Sequence, residues 1–185
     1  MFTEQELVEL ISQIAKGNEQ ALSKLYDNTS SLVYGLALRI LNDAFEAEEI
    51  TIDVYMQVWQ RAAEYDPNRS KPSAWLLMLT RSRAIDKLRA SSQKKRFEGK
   101  LEIDTPNSIN DPQESSFMIE RRKAIQSALA KLSSQQRQAI ELAYFYGLTQ
   151  SEISARLGQP IGTVKSWIRL GMIKLRDFLK SFEEK

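Results

Sequence analysis

The stretch that decides the fold covers residues 149–162 and reads Thr-Gln-Ser-Glu-Ile-Ser-Ala-Arg-Leu-Gly-Gln-Pro-Ile-Gly. Its first threonine and Glu152, three residues later, have the spacing of a capping box, which predicts a helix over residues 150–157. Gly158 is typical of the residue that ends such a helix, and Pro160 suits the first turn of the next one. Two helices joined by a short turn containing glycine predict a helix-turn-helix motif.

The second helix of this motif has two distinct faces. At about 100° per residue, one face is apolar and should pack inward; it consists of Ile161, Val164, Ile168, Met172 and Leu175. The opposite face presents Thr163, Ser166, Arg169 and Leu170, and it is flanked by Lys165, Lys174 and Arg176. Short side chains followed by cations indicate a recognition helix in a DNA major groove, with phosphate contacts beside it. A hairpin of helices that serves only packing is the alternative.

The remainder of the chain also shows helical patterns. Apolar residues recur at helical spacing, and two further capping patterns begin at Asp43 and Ser133. Residues 93–118 are polar and contain two prolines, so they cannot bury enough apolar surface to offset the entropy of ordering them. We therefore predict an all-α protein of two helical domains, residues 1–92 and 119–185, joined by a flexible linker.

The composition excludes several kinds of function. Cysteine and histidine are absent from the 185 residues, which excludes disulfides, thiolate or imidazole metal sites, and Ser-His or Cys-His nucleophiles. We expect no metal and no cofactor. The N-terminal segment is acidic, and no apolar run approaches the roughly 18 residues that a membrane span needs. We therefore expect a cytoplasmic protein without direct membrane insertion.

Charge is strongly segregated along the chain. Residues 1–60 carry 3 basic and 10 acidic side chains, whereas residues 61–100 carry 11 basic and 4 acidic ones. Residues 128–185 are basic again, with 9 basic and 5 acidic side chains. Two basic blocks suggest two surfaces for a polyanion, and the acidic block suggests a surface for a basic partner. Solvated helix faces are the alternative for each block.

The acidic block contains one continuous row of polar side chains, here called the acidic stripe. It consists of Glu46, Glu49, Asp53 and Gln57, and it lies opposite the apolar positions Ala47, Val54 and Val58. Carboxylates could bind a divalent metal, but successive carboxylates on one helix do not converge on a point. A solvated face or a dock for a basic partner helix is favoured over a metal-dependent enzyme.

The basic block combines aromatic and cationic side chains. The candidate DNA-binding residues of this block are Tyr65, Arg69, Lys71, Trp75, Ser82, Arg83, Asp86 and Arg89. An aromatic ring beside cations is the composition of a platform for single-stranded nucleic acid, where a base stacks on the ring. A core or rim position for Trp75 is the alternative. Arg81 falls toward the apolar side, so we expect a structural role for it.

These segments, in this order, resemble the sigma-70 family of bacterial transcription initiation factors, in its short extracytoplasmic-function (ECF) group. Residues 43–50, continuing to Val58 and Trp59, are similar to region 2.2 of the family. The similar segments for regions 2.3, 2.4 and 4 are residues 65–67 with 74–76, residues 81–89, and residues 132–137, 147–149, 152–158 and 162–166.

The resemblance implies a role for each surface of a non-enzymatic RNA polymerase sigma factor. The acidic stripe would bind the clamp helices of the polymerase's largest subunit. The basic block would open the minus-10 promoter element and capture its non-template strand. Thr163, Lys165, Ser166, Arg169 and Lys174 would bind minus-35 duplex DNA, and an anti-sigma factor would be a further partner. A stand-alone helix-turn-helix regulator is the alternative function, and it would bind its operator tightly without polymerase.

Overall fold

The computed structural model describes residues 2–97 and 127–183, with side chains over residues 2–91 and 127–180. Within these ranges every regular element is a helix. The chain divides into two compact units, Met1–Ile109 and Asn110–Lys185. The prediction of an all-α protein with two helical domains is confirmed.

In the N-terminal unit, residues 2–97 form four long helices and one short 3-10 helix. They are α1 (Glu4–Ile14), α2 (Glu19–Leu41), α3 (Ala44–Arg61), the 3-10 helix Ala62–Glu64, and α4 (Pro72–Phe97). Thr3 and Glu6 form a capping box at the start of α1. Asp43 caps α3 as predicted, because its side chain accepts a hydrogen bond from the Glu46 amide at 2.9 Å. Local sequence signals therefore set where α1 and α3 begin.

The core of this unit lies where α2 packs against α3 and α4, with α1 against α2. Its innermost side chains have no exposed surface; they are Leu25, Val33, Val54, Val58 and Leu76. One polar pair is buried within it, since the hydroxyls of Thr29 and Tyr55 lie 2.7 Å apart. A buried hydroxyl keeps a hydrogen-bond partner because an unsatisfied one costs about 1–3 kcal/mol. The two helices that carry the candidate sites of this unit, α3 and α4, thus pack against the same helix, α2.

The C-terminal unit contains the helix-turn-helix. Its helices are α5 (Ser134–Tyr144), α6 (Gln150–Leu157) and α7 (Ile161–Glu183), and residues 127–130 are also helical. The capping box at Thr149 is present, and Gly158 ends α6 in the left-handed conformation with φ +61°. The core cluster comprises Ala139, Leu142, Ile153 and Val164. The predicted bounds of α6 and the motif itself are confirmed.

The predicted inward face of α7 is wrong at two positions. Ile161 and Met172 are 41% and 49% exposed, whereas Val164 is fully buried. The reason is the way α7 meets α5: a Cβ atom at Gly171 would lie 2.6 Å from the Ile140 side chain. Because the closest approach is on the glycine side of α7, Ile161 and Met172 fall at the edge of the contact.

Part of the predicted linker lies in helix α4, which continues to Phe97. The rest of the linker, residues 98–118, lies outside the described residues, so its flexibility and the domain boundaries stay predictions. None of the described helices is both long enough and apolar enough to cross a membrane.

Candidate functional site

The acidic stripe occupies the solvent side of α3. The opposite side of this helix is fully buried, at Ala47, Val54 and Val58, as the sequence predicts. Glu49 is exposed, and the other three members, Glu46, Asp53 and Gln57, are half-buried. Packing of the inner face therefore fixes the direction in which the stripe points.

An exposed apolar strip runs beside the acidic stripe. It consists of Phe45, Ile52 and Met56, whose exposed fractions are 77%, 61% and 55%. Positions seven and four residues apart lie on one face of a helix. Sequence reasoning overlooked the strip, although this spacing was the available signal. The solvent side of α3 therefore combines carboxylates with apolar surface, as protein interfaces do.

The structure brings the acidic stripe and the basic face of α4 together. The Lys87 ammonium donates a hydrogen bond to Glu49 Oε2 at 2.6 Å. Arg83 Nε donates to Gln57 Oε1 at 3.0 Å, and its Nη1 lies 3.8 Å from Asp53 Oδ2. The hydrogen bond to Glu49 raises the pKa of Lys87. Lys87 was absent from the predicted site, and no pattern within one helix could have revealed this pairing.

An aromatic side chain of the loop before α4 contacts one in the first turn of that helix, and the two are here called the aromatic pair. The rings of Tyr65 and Trp75 are 5.0 Å apart between centroids and tilted by 44°. The Tyr65 hydroxyl donates to the Ser70 carbonyl at 2.7 Å, and the Asn68 amide donates to Asp66 Oδ1 at 2.9 Å. Burial raises the pKa of Tyr65, with smaller contributions from nearby carboxylates. The loop is therefore folded on itself, with the pair at its base.

A shallow groove of about 310 Å³ lies on the surface of α4. Its lining consists of Met78, Arg81, Ser82, Ile85, Asp86 and Arg89. The groove brings together three predicted minus-10 residues, Ser82, Asp86 and Arg89. Arg83 does not line it and faces the acidic stripe instead.

The predicted minus-35 residues lie on α7 in two different environments. Lys165, Ser166 and Arg169 are exposed, and Thr163 is half-buried. Lys174 is exposed as well, but its ammonium reaches the buried Gln136 and donates to its Oε1 at 3.3 Å. The start of α7 therefore offers a polar surface to solvent, while the later cation is tied to α5.

Acidic side chains are not clustered as metal ligands in the part of the chain that the structure describes. No group of three or more of them there could hold a metal ion. Glu46, Glu49 and Asp53 follow one another along a helix, which keeps their carboxylates from converging.

Two family models match separate parts of the chain. The Sigma-70 region 2 family model matches residues 25–94, and the Sigma-70 region 4 model matches residues 122–175. The chain is similar to the ECF RNA polymerase sigma factor SigK of Mycobacterium sp. (strain KMS), with 38% identity covering 96% of this chain and 93% of the relative. The SigK of Mycobacterium ulcerans (strain Agy99) is also 38% identical, covering 94% of each chain.

One solved structure aligns with nearly the whole chain. Rhodobacter sphaeroides SigE, in complex with the anti-sigma ChrR, is 30% identical over 95% of this chain and 99% of that one, with a TM-score of 0.48. Because SigK relatives at 38% identity align with nearly the whole sequence and both region models match, the chain belongs to the ECF group of the sigma-70 family of RNA polymerase sigma factors.

Proposed function

We propose that this chain directs core RNA polymerase to specific promoters and promotes transcription initiation. The N-terminal unit binds minus-10 DNA, and the C-terminal helix-turn-helix binds minus-35 DNA. The observation that carries the proposal is the match of region 2 and region 4 to units that each present an exposed polar and cationic helix surface. Promoter opening uses binding energy alone, so the protein is not an enzyme and needs no cofactor.

Polymerase binds the solvent side of α3, through the clamp helices of its largest subunit. Glu46, Glu49, Asp53 and Gln57 supply charge complementarity to a basic partner, which favours fast and specific association. The neighbouring apolar strip supports this assignment, because burying an exposed side chain such as Phe45 in an interface is favourable in free energy. Docking on α3 also competes with Arg83 and Lys87 for the same acceptors.

The minus-10 element binds the loop before α4 and the outer face of that helix. The contributing residues are Tyr65, Arg69, Lys71, Trp75, Ser82, Arg83, Asp86 and Arg89. A base unstacked from the duplex can stack on an aromatic ring, which is worth about 1–3 kcal/mol per base. Arg83 contacts DNA only after it leaves or shares its partners on α3.

The start of α7 enters the major groove of the minus-35 element. Thr163, Lys165, Ser166 and Arg169 lie in the first nine residues of this helix, the part that contacts base edges in helix-turn-helix proteins. Lys174 adds a phosphate contact after release from Gln136.

An anti-sigma protein regulates the factor in the cytoplasm by covering one or both DNA surfaces.

The test is transcription of a library of genomic DNA fragments by core polymerase with and without the chain. A defined set of start sites should appear only when the chain is added. The double variant Glu49→Lys with Asp53→Lys should bind core at least about ten-fold more weakly, because like charges then face the basic partner. Its matched control, Glu9→Lys with Asp27→Lys, makes the same change in net charge at exposed positions of α1 and α2 and should bind core within about two-fold of wild type.

Two results would contradict the proposal. Start sites that do not depend on the added chain would reject the function as a whole. Tight binding of promoter duplex by the isolated chain, unchanged by core, would favour a stand-alone regulator. Far-UV circular dichroism of both double variants should match wild type, which separates lost docking from lost folding.

A further inference from the structure

The start of α4 lacks a capping side chain of its own. The Lys71 carbonyl accepts a hydrogen bond from the Trp75 amide at 3.0 Å, which places Lys71 at the N-cap position. A lysine side chain only donates hydrogen bonds, so it cannot accept one from the first turn. Pro72 has no amide hydrogen, and the first backbone donor of the helix therefore belongs to Ser73.

A glutamate from another helix supplies the missing acceptor. Glu4, in the first turn of α1, accepts from the Ser73 hydroxyl at 2.6 Å through Oε1 and from the Ser73 amide at 3.4 Å through Oε2. These residues are 69 positions apart in sequence. A negative charge at the N-terminus of a helix is favourable because it opposes the helix dipole. Glu4 therefore fastens the first turn of α4 to α1.

The same turn carries half of the aromatic pair. Trp75 follows Ser73 by two residues, and its ring contacts that of Tyr65 at 5.0 Å. The Glu4 carboxylate also lies close enough to the Tyr65 phenol to contribute to the rise in its pKa, after burial. The ring of Trp75 thus stands on backbone that Glu4 holds in place, and the ring of Tyr65 packs against it.

We propose that Glu4 is a positioning residue for the aromatic pair, fixing the first turn of α4 so that Tyr65 and Trp75 are prearranged before a promoter base stacks on them. This inference rests on the proposed function of the pair in minus-10 capture. A preformed platform does not pay the entropy of ordering its side chains at the moment of binding.

The first experiment reads the position of Trp75 without DNA. The full chain, labelled with 5-fluorotryptophan, gives resonances for its three tryptophans, and Trp75→Phe identifies the one at position 75. Glu4→Ala and Ser73→Ala should each shift or broaden the Trp75 resonance while those of Trp59 and Trp167 stay in place. Glu4→Gln keeps an acceptor for the Ser73 hydroxyl and should restore the resonance in part.

The second experiment reads strand capture by the complex of core polymerase and the full chain. The probe is promoter DNA carrying 2-aminopurine in the non-template strand of the minus-10 element. Glu4→Ala should lower capture by about five-fold, because the aromatic side chains must then be ordered at the moment of binding. Affinity for core should not change. Glu9→Ala, an exposed change on the same helix, is the matched control and should behave as wild type in both experiments.

The outcomes separate this inference from the function on which it rests. A Trp75 resonance that stays unmoved in both Glu4→Ala and Ser73→Ala overturns the positioning role. Wild-type capture by Glu4→Ala, with a shifted resonance, also overturns it. Wild-type capture by Trp75→Ala rejects the DNA role of the aromatic pair, whatever the resonances show.

Discussion

The two units hold their candidate binding residues by different means. In the C-terminal unit, contacts between neighbours in sequence set the motif, such as the Thr149 capping box and the left-handed Gly158. In the N-terminal unit, contacts between distant helices orient the polar groups: Glu4 with Ser73 over 69 residues, and Glu49 with Lys87 over 38. A surface formed within one helical turn can therefore be predicted from sequence, whereas one formed between helices requires knowledge of the fold.

Truncation of a buried side chain should lower the hydrogen-exchange protection of the C-terminal unit more than that of the N-terminal unit. Ile153 is fully buried in a cluster of four buried residues, and Ile153→Ala should cost about 2–5 kcal/mol. Because small domains have little stability to lose, we expect the C-terminal unit to lose most of its hydrogen-exchange protection. Exchange measured by mass spectrometry on the full chain reports the two units separately.

Leu76→Ala is the corresponding change in the N-terminal unit. Leu76 is also fully buried, and its loss should cost about the same 2–5 kcal/mol. The larger core formed by α2, α3 and α4 should nevertheless keep the amides of α2 protected. Equal loss of hydrogen-exchange protection in both units would show that their free energies of unfolding do not differ.

The second prediction concerns a contact between distant residues in the C-terminal unit. Gly171→Val would force a β-branched side chain against Ile140, and overpacking of this kind costs about 1–3 kcal/mol. Gly162→Val is the matched control on the same helix, because no atom lies within 4 Å of its added Cβ. Urea unfolding, followed by exchange protection of α5, should distinguish them. Similar midpoints would mean that α5 and α7 adjust freely.

What the sequence could predict follows the same division. The bounds of α6 and the buried row of α3 were predictable, because capping boxes and helical spacing act within a few residues. The exposure of Ile161 and Met172 was not, since it depends on how Gly171 meets Ile140. The partners of Arg83 and Lys87 were equally hidden, because they lie on another helix. For the site itself, sequence identified the helices and most residues but not which of them contact one another.

The smallest effect tests how much the ion pairs between α3 and α4 contribute. The side chains of Lys87 and Glu49 are 25% and 54% exposed, so a double-mutant cycle with Lys87→Met and Glu49→Gln should give a coupling energy of about 0.2–1 kcal/mol at low salt. Salt at about 1 M should remove most of it through screening. The quantity measured is the free energy of unfolding, from exchange protection of α3 and α4.

The stabilisation that the Lys87–Glu49 ion pair contributes should depend on pH. Because Glu49 raises the pKa of Lys87, the pair stabilises the fold fully below the ordinary lysine pKa, and this contribution is lost as pH rises through the raised value. Wild type should therefore lose more stability than Lys87→Met on going from neutral to strongly alkaline pH. A coupling energy of zero at low salt would show that the pair of Lys87 and Glu49 does not help to hold α4 against α3. Glu49 would then be available to polymerase at no cost to the fold, whereas a measurable coupling means that docking at Glu49 competes with Lys87.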